Sequence, residues 1–255
     1  MASKYIDIKT VKFFMNSVQE LEKILNKERF IDHNSESVDL YIDSVKKFAD
    51  RELFPYFKEM DEKPAHYKDG SIHVHQQVEK MMKEGGAMGL ISAPFNYEDG
   101  GLQLPLLVHT ASNYILDAAN NHLPGYSGLT SGAAELIIEF ASKELKEKYT
   151  PKMLTGEWGG TMCLTEPQAG SSLSDIVTKA TPDANNAYKI NGQKIFISGG
   201  DHQYAGNIVH LLLARIEGAP AGTKGISLFV VPKNRFNDDG ELEANDVTTV
   251  ADFEK

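Results

Sequence analysis

Residues 162–172 read Met162-Cys163-Leu164-Thr165-Glu166-Pro167-Gln168-Ala169-Gly170-Ser171-Ser172, and the fold turns on what this stretch joins. It begins as a strand and breaks at Pro167, because proline has no N–H for a sheet ladder. Past the break, small residues let the backbone approach a planar or phosphorylated ligand closely. Thr165, Ser171 and Ser172 add hydroxyls beside the loop amides. No lysine follows the glycine, which excludes a phosphate-binding P-loop. The glycine spacing and the βαβ setting of a dinucleotide turn are also absent.

Upstream of this stretch the apolar period is helical. Val38, Tyr41, Ile42, Val45, Phe48, Ala49 and Leu53 recur at three- and four-residue spacing, predicting an amphipathic helix. Ser35 or Ser37 caps it, and Pro55 lies near its end. Val74, Val78, Met81 and Met82 predict a second helix from His73 to Met88, stopping at Gly85-Gly86 or just beyond. Pro105 reads as a first-turn proline opening a helix through Ala119, and Ser131 to Phe140 reads as another. Thr150-Pro151 restarts a short helix that ends at Gly156. Before Phe30, the residues Val11, Phe14, Met15, Val18, Leu21 and Leu25 predict an extra amphipathic helix, read as an appendage to the main bundle.

Downstream of Gly159 the period shortens to two or to brief apolar runs. Tyr188-Lys189-Ile190, Asn191-Gly192 and Gln193-Lys194-Ile195-Phe196-Ile197-Ser198 predict a hairpin, with Asn-Gly supplying a tight turn. Ile208 to Ala214 and Ile226 to Val231 read as buried strands, the second ended by Pro232. The class is therefore α+β, an all-helical domain followed by an antiparallel, barrel-like β domain. From Asn237 onward Asp238, Asp239, Glu241, Glu243, Asp246, Asp252 and Glu254 face a single base, Lys255, which reads as a solvated loop. The set of strands is incomplete at Lys255 and would leave unpaired edges, so a longer chain is expected.

Composition narrows the function. The 255 residues carry 24% charged and 9% aromatic side chains, ordinary globular values that exclude disordered and collagen-like chains. The one cysteine, Cys163, rules out a disulfide framework and a thiolate-clustered zinc site. A net charge of −10 argues against a chain that coats nucleic acid or an anionic membrane. No signal peptide and no run long enough for a membrane span is visible, so a cytoplasmic protein is expected.

The stretch from Met162 to Ser171 resembles the first signature of the acyl-CoA dehydrogenase flavoprotein family, of the form (Y/M)C(L/V)TEPxAGS. Gln193-Lys194-Ile195-Phe196-Ile197-Ser198-Gly199-Gly200 is similar to the second marker, in which a lysine leads into an aromatic-Ile-Ser/Thr triplet. The segments Pro151 to Trp158 and Tyr97-Glu98-Asp99-Gly100-Gly101 resemble two further family elements. The N-terminal extension, and the stretch from Asn207 to Ser227, look like a long-chain-length subgroup. It includes methylmercaptopropionyl-CoA dehydrogenases and relatives linked to DNA alkylation damage.

The resemblance implies three segments: an extension over 1–34, an N-terminal helical domain over 35–158, and an incomplete middle β domain over 159–255. A C-terminal helical bundle would follow. It implies FAD as cofactor, with Met162, Leu164, Thr165, Gly170 and Ser171 contacting it, Phe196 as an aromatic wall and Ser198 near flavin N5. Ser171 would also touch acyl-CoA. The family oxidises an acyl-CoA thioester to the 2,3-enoyl-CoA. A carboxylate from the C-terminal domain removes the α-proton while hydride passes to flavin N5, so no catalytic residue is expected in these 255 residues. The resemblance further implies an electron-transfer flavoprotein as acceptor and a homo-oligomer at full length. This chain alone is expected to be inactive and to retain FAD weakly or not at all.

One departure stands in the signature. Most members have Asp after the Gly-Ser step, where this chain has Ser172, with an acid only at Asp175. Glu166 precedes a proline and reads as a loop-shaping residue rather than a general base. Cys163 reads as a small core residue. His73 and His75 point to opposite sides of a helix, and His109, His122 and His210 lack metal-ligand spacing. His202 follows the flavin-facing segment and is either near the site or a polar loop residue. Two other classes stay open: a flavin-binding stress-response protein acting on DNA, and an inactive interaction module.

Overall fold

A computed structural model describes residues 5–184, 187–237 and 239–249. Asp238, Asp252, Glu254 and Lys255 of the acidic stretch lie outside the described residues.

The N-terminal part is a helical layer. Helix α1 (Ile8–Phe13) runs into a π-helical turn at Phe14–Val18, then breaks at Glu20, whose φ is 51°, before α2 (Leu21–Leu25). Helix α3 spans Ser35–Phe48 and continues into a π-turn, Ala49–Leu53. Its cap is Asn34, one residue before Ser35 and three before Ser37, the two serines considered, and Ser37 takes part as the N3 partner. Asn34 accepts from Ser37 N–H at 2.8 Å, and Ser37 Oγ accepts from Asn34 N–H at 3.0 Å. This is a reciprocal capping box that satisfies two otherwise unpaired donors. Val38, Ile42, Val45 and Phe48 form the buried face of α3, which packs on α6 (Leu106–Asn120).

Residues 5–25 are not an appendage. Val11, Met15, Leu21 and Leu25 are buried in the same cluster as Ile42, Ile115 and Ile137. The apolar stripe of this segment is satisfied by joining the main core, each buried aliphatic side chain contributing roughly 1.5–3 kcal/mol.

Four other helical expectations shift. After α4 (Phe57–Glu62), the second helix begins at Gln77, not His73 (α5, Gln77–Ala87), because His66–Lys68 and Ser71–His73 pair as a small hairpin, β1 and β2. Its Asp69-Gly70 turn has φ of 50° and 86°, the double positive φ of a tight turn. Pro105 is the cap of α6 rather than its first turn, its carbonyl accepting from Val108 and His109. Helix α7 spans Pro124–Phe140, with Pro124 as its first-turn proline, seven residues before the expected start. Helix α8 (Lys143–Leu154) passes straight through Pro151. Only one ladder bond is lost there, to the carbonyl of Glu147, and that point is already in the last turn.

The chain then enters a five-stranded sheet built around a long central strand, β6 (Ile208–Ile216). Strand β3 (Gly159–Cys163) runs parallel to its first half, with Gly159 opposite Ile208 and Cys163 opposite Leu212. Strand β4 (Lys179–Pro182) pairs parallel with Arg215 and Ile216, and antiparallel with β5 (Tyr188–Asn191). Strand β7 (Ile226–Pro232) lies antiparallel along the other edge of β6. The sheet is therefore mixed where an antiparallel one was expected. Strands β3 and β6 are separated by ample chain for a parallel crossover. A last hairpin joins β8 (Asn234–Phe236) and β9 (Leu242–Ala244).

The hairpin expected across Asn191-Gly192 does not form. Neither residue has positive φ, and Gln193–Ile197 is not a strand. Instead β5 pairs backwards with β4, the connection carrying an Asp183 N–H to Ala187 O bond at 2.9 Å. The downstream segment runs beside the signature loop, with Ile195 N–H donating to Thr165 O at 2.9 Å.

Helices and sheet share one core. On β3, Gly160 faces α7 so closely that a Cβ there would lie 2.8 Å from Ala133 Cβ and from Met153 Cε. Only glycine fits at that distance. Val209 and Leu211 of β6 join the helical cluster on this side.

Candidate functional site

Strand β3 is buried except at Met162. Thr161 and Cys163 are buried, while Met162 is 36% exposed and Leu164 and Thr165 beyond it are half-buried. The apolar outward residues mark this edge as a surface built to be covered. Gly170 returns beside Thr165, since a Cβ there would lie 4.0 Å from Thr165 Cγ2. The Ile195–Thr165 bond brings Phe196 alongside. Phe196 is 63% exposed and holds φ 59°, a left-handed conformation rare for a bulky residue. Thus Met162, Leu164, Thr165, Gly170 and Phe196 are gathered along one edge. Ser171 and Ser198 are exposed on the flanking turns, and no hydrogen bond among the described residues joins either one to that group.

A buried ion pair holds this edge. The Glu166 side chain is 1% exposed and that of Lys194 is 7%, and their charged atoms are 2.7 Å apart. Glu166 also accepts from Val177 N–H at 2.7 Å, Thr178 N–H at 3.2 Å and Gln168 Nε2 at 2.8 Å. Lys194 donates in addition to Leu164 O at 3.1 Å. Burial alone would raise the Glu166 pKa, but the lysine and the other donors outweigh it and lower it to about 2. A carboxylate so committed is a scaffold, in line with the loop-shaping role read for Glu166. The missing acid after Ser171 has a local substitute, because Asp175 accepts from Ser172 Oγ at 2.7 Å and from Ser174 Oγ at 3.1 Å.

Cys163 is a buried thiol whose pKa burial raises, in keeping with a core residue. His202 lies in a loop but is buried there, 5% exposed, with its ring edge-to-face on Tyr126 at 5.4 Å. Burial, with Lys233 assisting and Asp201 opposing, lowers its pKa to about 4. His210 on β6 faces Thr161 Oγ1 at 2.7 Å, and burial and Lys233 lower its pKa to about 4. Asp201 is buried, paired with Lys233, and accepts from Thr249 Oγ1 at 3.0 Å. His73 lies on β2 opposite His66, not on a helix with His75.

Sequence reading did not single out Tyr126, Asp201 or Lys233. Tyr126 was hidden by starting α7 late, and the signal available was Pro124 at the helix start. The gathered edge offers an apolar shelf, a hydroxyl at Thr165 and small residues at the turn. That suits a flat ligand laid against it and supplies no nucleophile. Among the described residues no helix is long and apolar enough to cross a membrane.

Residues 35–157 match the acyl-CoA dehydrogenase N-terminal domain model, and residues 161–248 match the acyl-CoA dehydrogenase middle domain model. The chain is 35% identical over 247 residues to a butyryl-CoA dehydrogenase of Syntrophomonas wolfei, covering 95% of this chain and 40% of that protein. It is 36% identical over 200 residues to 3-methylmercaptopropionyl-CoA dehydrogenase of Ruegeria pomeroyi, covering 78% of this chain and 34% of the relative. An acyl-CoA dehydrogenase structure from Bacillus anthracis, complexed with FAD, shares the fold with a TM-score of 0.63 at 24% identity. The match covers 79% of this chain and 32% of that one. The chain thus spans about 40% or less of the length of these relatives. The two domain models fall in chain order on the helical layer and on the sheet, and the chain belongs to the acyl-CoA dehydrogenase family.

Proposed function

We propose that these residues are the helical and middle-domain part of an FAD-dependent acyl-CoA dehydrogenase that oxidises an acyl-CoA thioester to its 2,3-enoyl-CoA. The observation that carries this reading is the edge itself. Met162, Leu164 and Thr165 point outward beside Phe196, and the Ile195–Thr165 bond and the buried Glu166–Lys194 pair fix their spacing. An exposed apolar shelf that is rigidly braced from behind fits a planar ring system, and Gly170 leaves room for close approach.

In this reading Met162, Leu164, Thr165, Gly170, Ser171, Phe196 and Ser198 hold the cofactor, and Ser171 also meets the substrate. When bound, FAD supplies the acceptor for the hydride leaving the thioester β-carbon. Thr165 Oγ1 orients the ring by hydrogen bonding, and Phe196 shields one side of it from water. The carboxylates flanking the edge are already engaged: Glu166 with Lys194, Asp175 with Ser172 and Ser174, and Asp201 with Lys233 and Thr249. The base that takes the α-proton is, as the family resemblance implies, proposed to be a carboxylate outside these 255 residues. An electron-transfer flavoprotein is the proposed acceptor, and a homo-oligomer the proposed assembly.

The test is anaerobic titration of the full-length protein with acyl-CoA thioesters. Bleaching of the visible flavin band with one equivalent of substrate is expected. A flavin-loaded protein that no acyl-CoA bleaches refutes the activity. Turnover by the 255-residue chain alone would place the base inside it.

A further inference from the structure

Building on the flavin reading above, we propose that Tyr126 and His202 are positioning residues that set where Phe196 and Ser198 stand against the cofactor. The turn carrying those two residues rests on the Tyr126 ring. Gly199 has φ 65°, and a Cβ on it would lie 3.3 Å from Tyr126 Cδ1 and 3.6 Å from Cε1, so the turn packs beside that ring with little room to spare. Three residues on, His202 meets the same ring edge-to-face, with an interplanar angle of 86°. His202 is 5% exposed and its Nδ1 has no hydrogen-bond partner, so the imidazole is held there by packing at a desolvation cost.

Tyr126 is itself fixed. Thr130 Oγ1 donates to Tyr126 O at 2.7 Å and accepts from Gly160 N–H at 3.0 Å, joining α7 to β3. The segment between is pinned at both ends, by Ile195 N–H on Thr165 O and by Asp201 on Lys233. Inside those pins Phe196 keeps a left-handed backbone. A bulky residue persists in that conformation only where its surroundings over-determine it. Gly200 N–H to Ile197 O closes the turn only upon itself; the edge-to-face contact of Tyr126 and His202 ties it to α7, while Gln203, bonded to Val74 at 2.9 and 3.1 Å, anchors the chain just beyond it.

The test uses the full-length flavoprotein with Tyr126→Ala and Tyr126→Phe, reading the visible circular dichroism of bound flavin together with kcat and KM. The Ala variant is expected to change the flavin spectrum and lower kcat about tenfold or more, with a smaller change in KM, as slight misplacement at a reacting centre does. The Phe variant, which keeps the ring, is expected to restore both. An unchanged spectrum and kcat in Tyr126→Ala overturn the inference, as does a Phe variant as impaired as the Ala one. Should Tyr126→Ala fail to fold, Gly199→Ala presses on the ring from the other side and must shift the same spectrum. No shift there overturns the inference. A wild-type protein that binds no flavin refutes instead the reading on which this rests.

Discussion

Replacing Lys194 with Met strips the signature loop of its buried counter-charge and keeps most of the side-chain volume. Glu166 would remain inside, 2% exposed, with three uncharged donors: Val177 N–H, Thr178 N–H and Gln168 Nε2. Removing one partner of a buried pair costs about 3–5 kcal/mol, because the remaining charge is stranded in a medium that solvates it poorly. The pKa of Glu166 gives a second route to the magnitude. A fall from 4.5 to about 2 corresponds to about 3 kcal/mol of stability at neutral pH, shared among all the donors. The second route is a ceiling on the lysine's share, so Lys194→Met is expected to cost up to about 3 kcal/mol, more than the loss of an exposed pair. The folded value of Glu166 lies below the unfolded one, so this stability is complete above about pH 4.5 and disappears as pH falls toward 2. The gap between wild type and variant should shrink over that interval. The assay is urea unfolding followed by fluorescence of Trp158, the single tryptophan, which is 1% exposed at the helix–sheet junction. A double-mutant cycle with Glu166→Gln should give a coupling of about 1–3 kcal/mol. A loss below about 1 kcal/mol at pH 7, or one that does not change with pH, refutes the bracing role.

Three other outcomes follow from the packing and titration. Gly160→Ala should destabilise by about 1–3 kcal/mol in urea unfolding, since its methyl would press on Ala133, Met153 and Thr130 where α7 meets β3. Leu21→Ala should cost about 2–5 kcal/mol and shift the whole unfolding transition, because residues 5–25 belong to the main core; a separate early phase would contradict that. His210 is held neutral, with its pKa lowered from 6.5 to about 4, so its contribution is present above pH 6.5 and is lost as pH falls through 4. His210→Gln should flatten the pH dependence of stability in that window by an amount on the order of 3 kcal/mol or less. A profile as steep as wild type would contradict it.

The helices were legible because their apolar spacing matches the face they bury: Val38, Ile42, Val45 and Phe48 are all buried on α3. Their ends were less legible, for reasons that lie in backbone chemistry. Pro151 was read as a new start, yet a helix in its last turn gives up only one bond to a proline. Asn191-Gly192 carries a strong hairpin pattern, but the segment after it is engaged by the signature loop. The tight turn forms instead at Asp69-Gly70, just before the expected helix start at His73. Local turn preference amounts to little against a tertiary partner, and here the partner, Thr165, lies 30 residues back in the sequence.

The candidate site shows the same division. The outward residues of the signature were legible as types, since apolar and hydroxyl side chains stand where a ligand would meet them. What braces them was not, because bracing depends on charges distant in sequence. Glu166 and Lys194 are 28 residues apart and Tyr126 and His202 further still, and nothing in either segment announces its partner. The brace also explains why the acid inside the signature cannot be the one that takes a proton. A general base needs a pKa near working pH, and Glu166, with four donors converging on it, sits near 2. The same bonds that hold the shelf at a fixed spacing therefore disarm its own carboxylate. In the proposed function the base accordingly comes from another element.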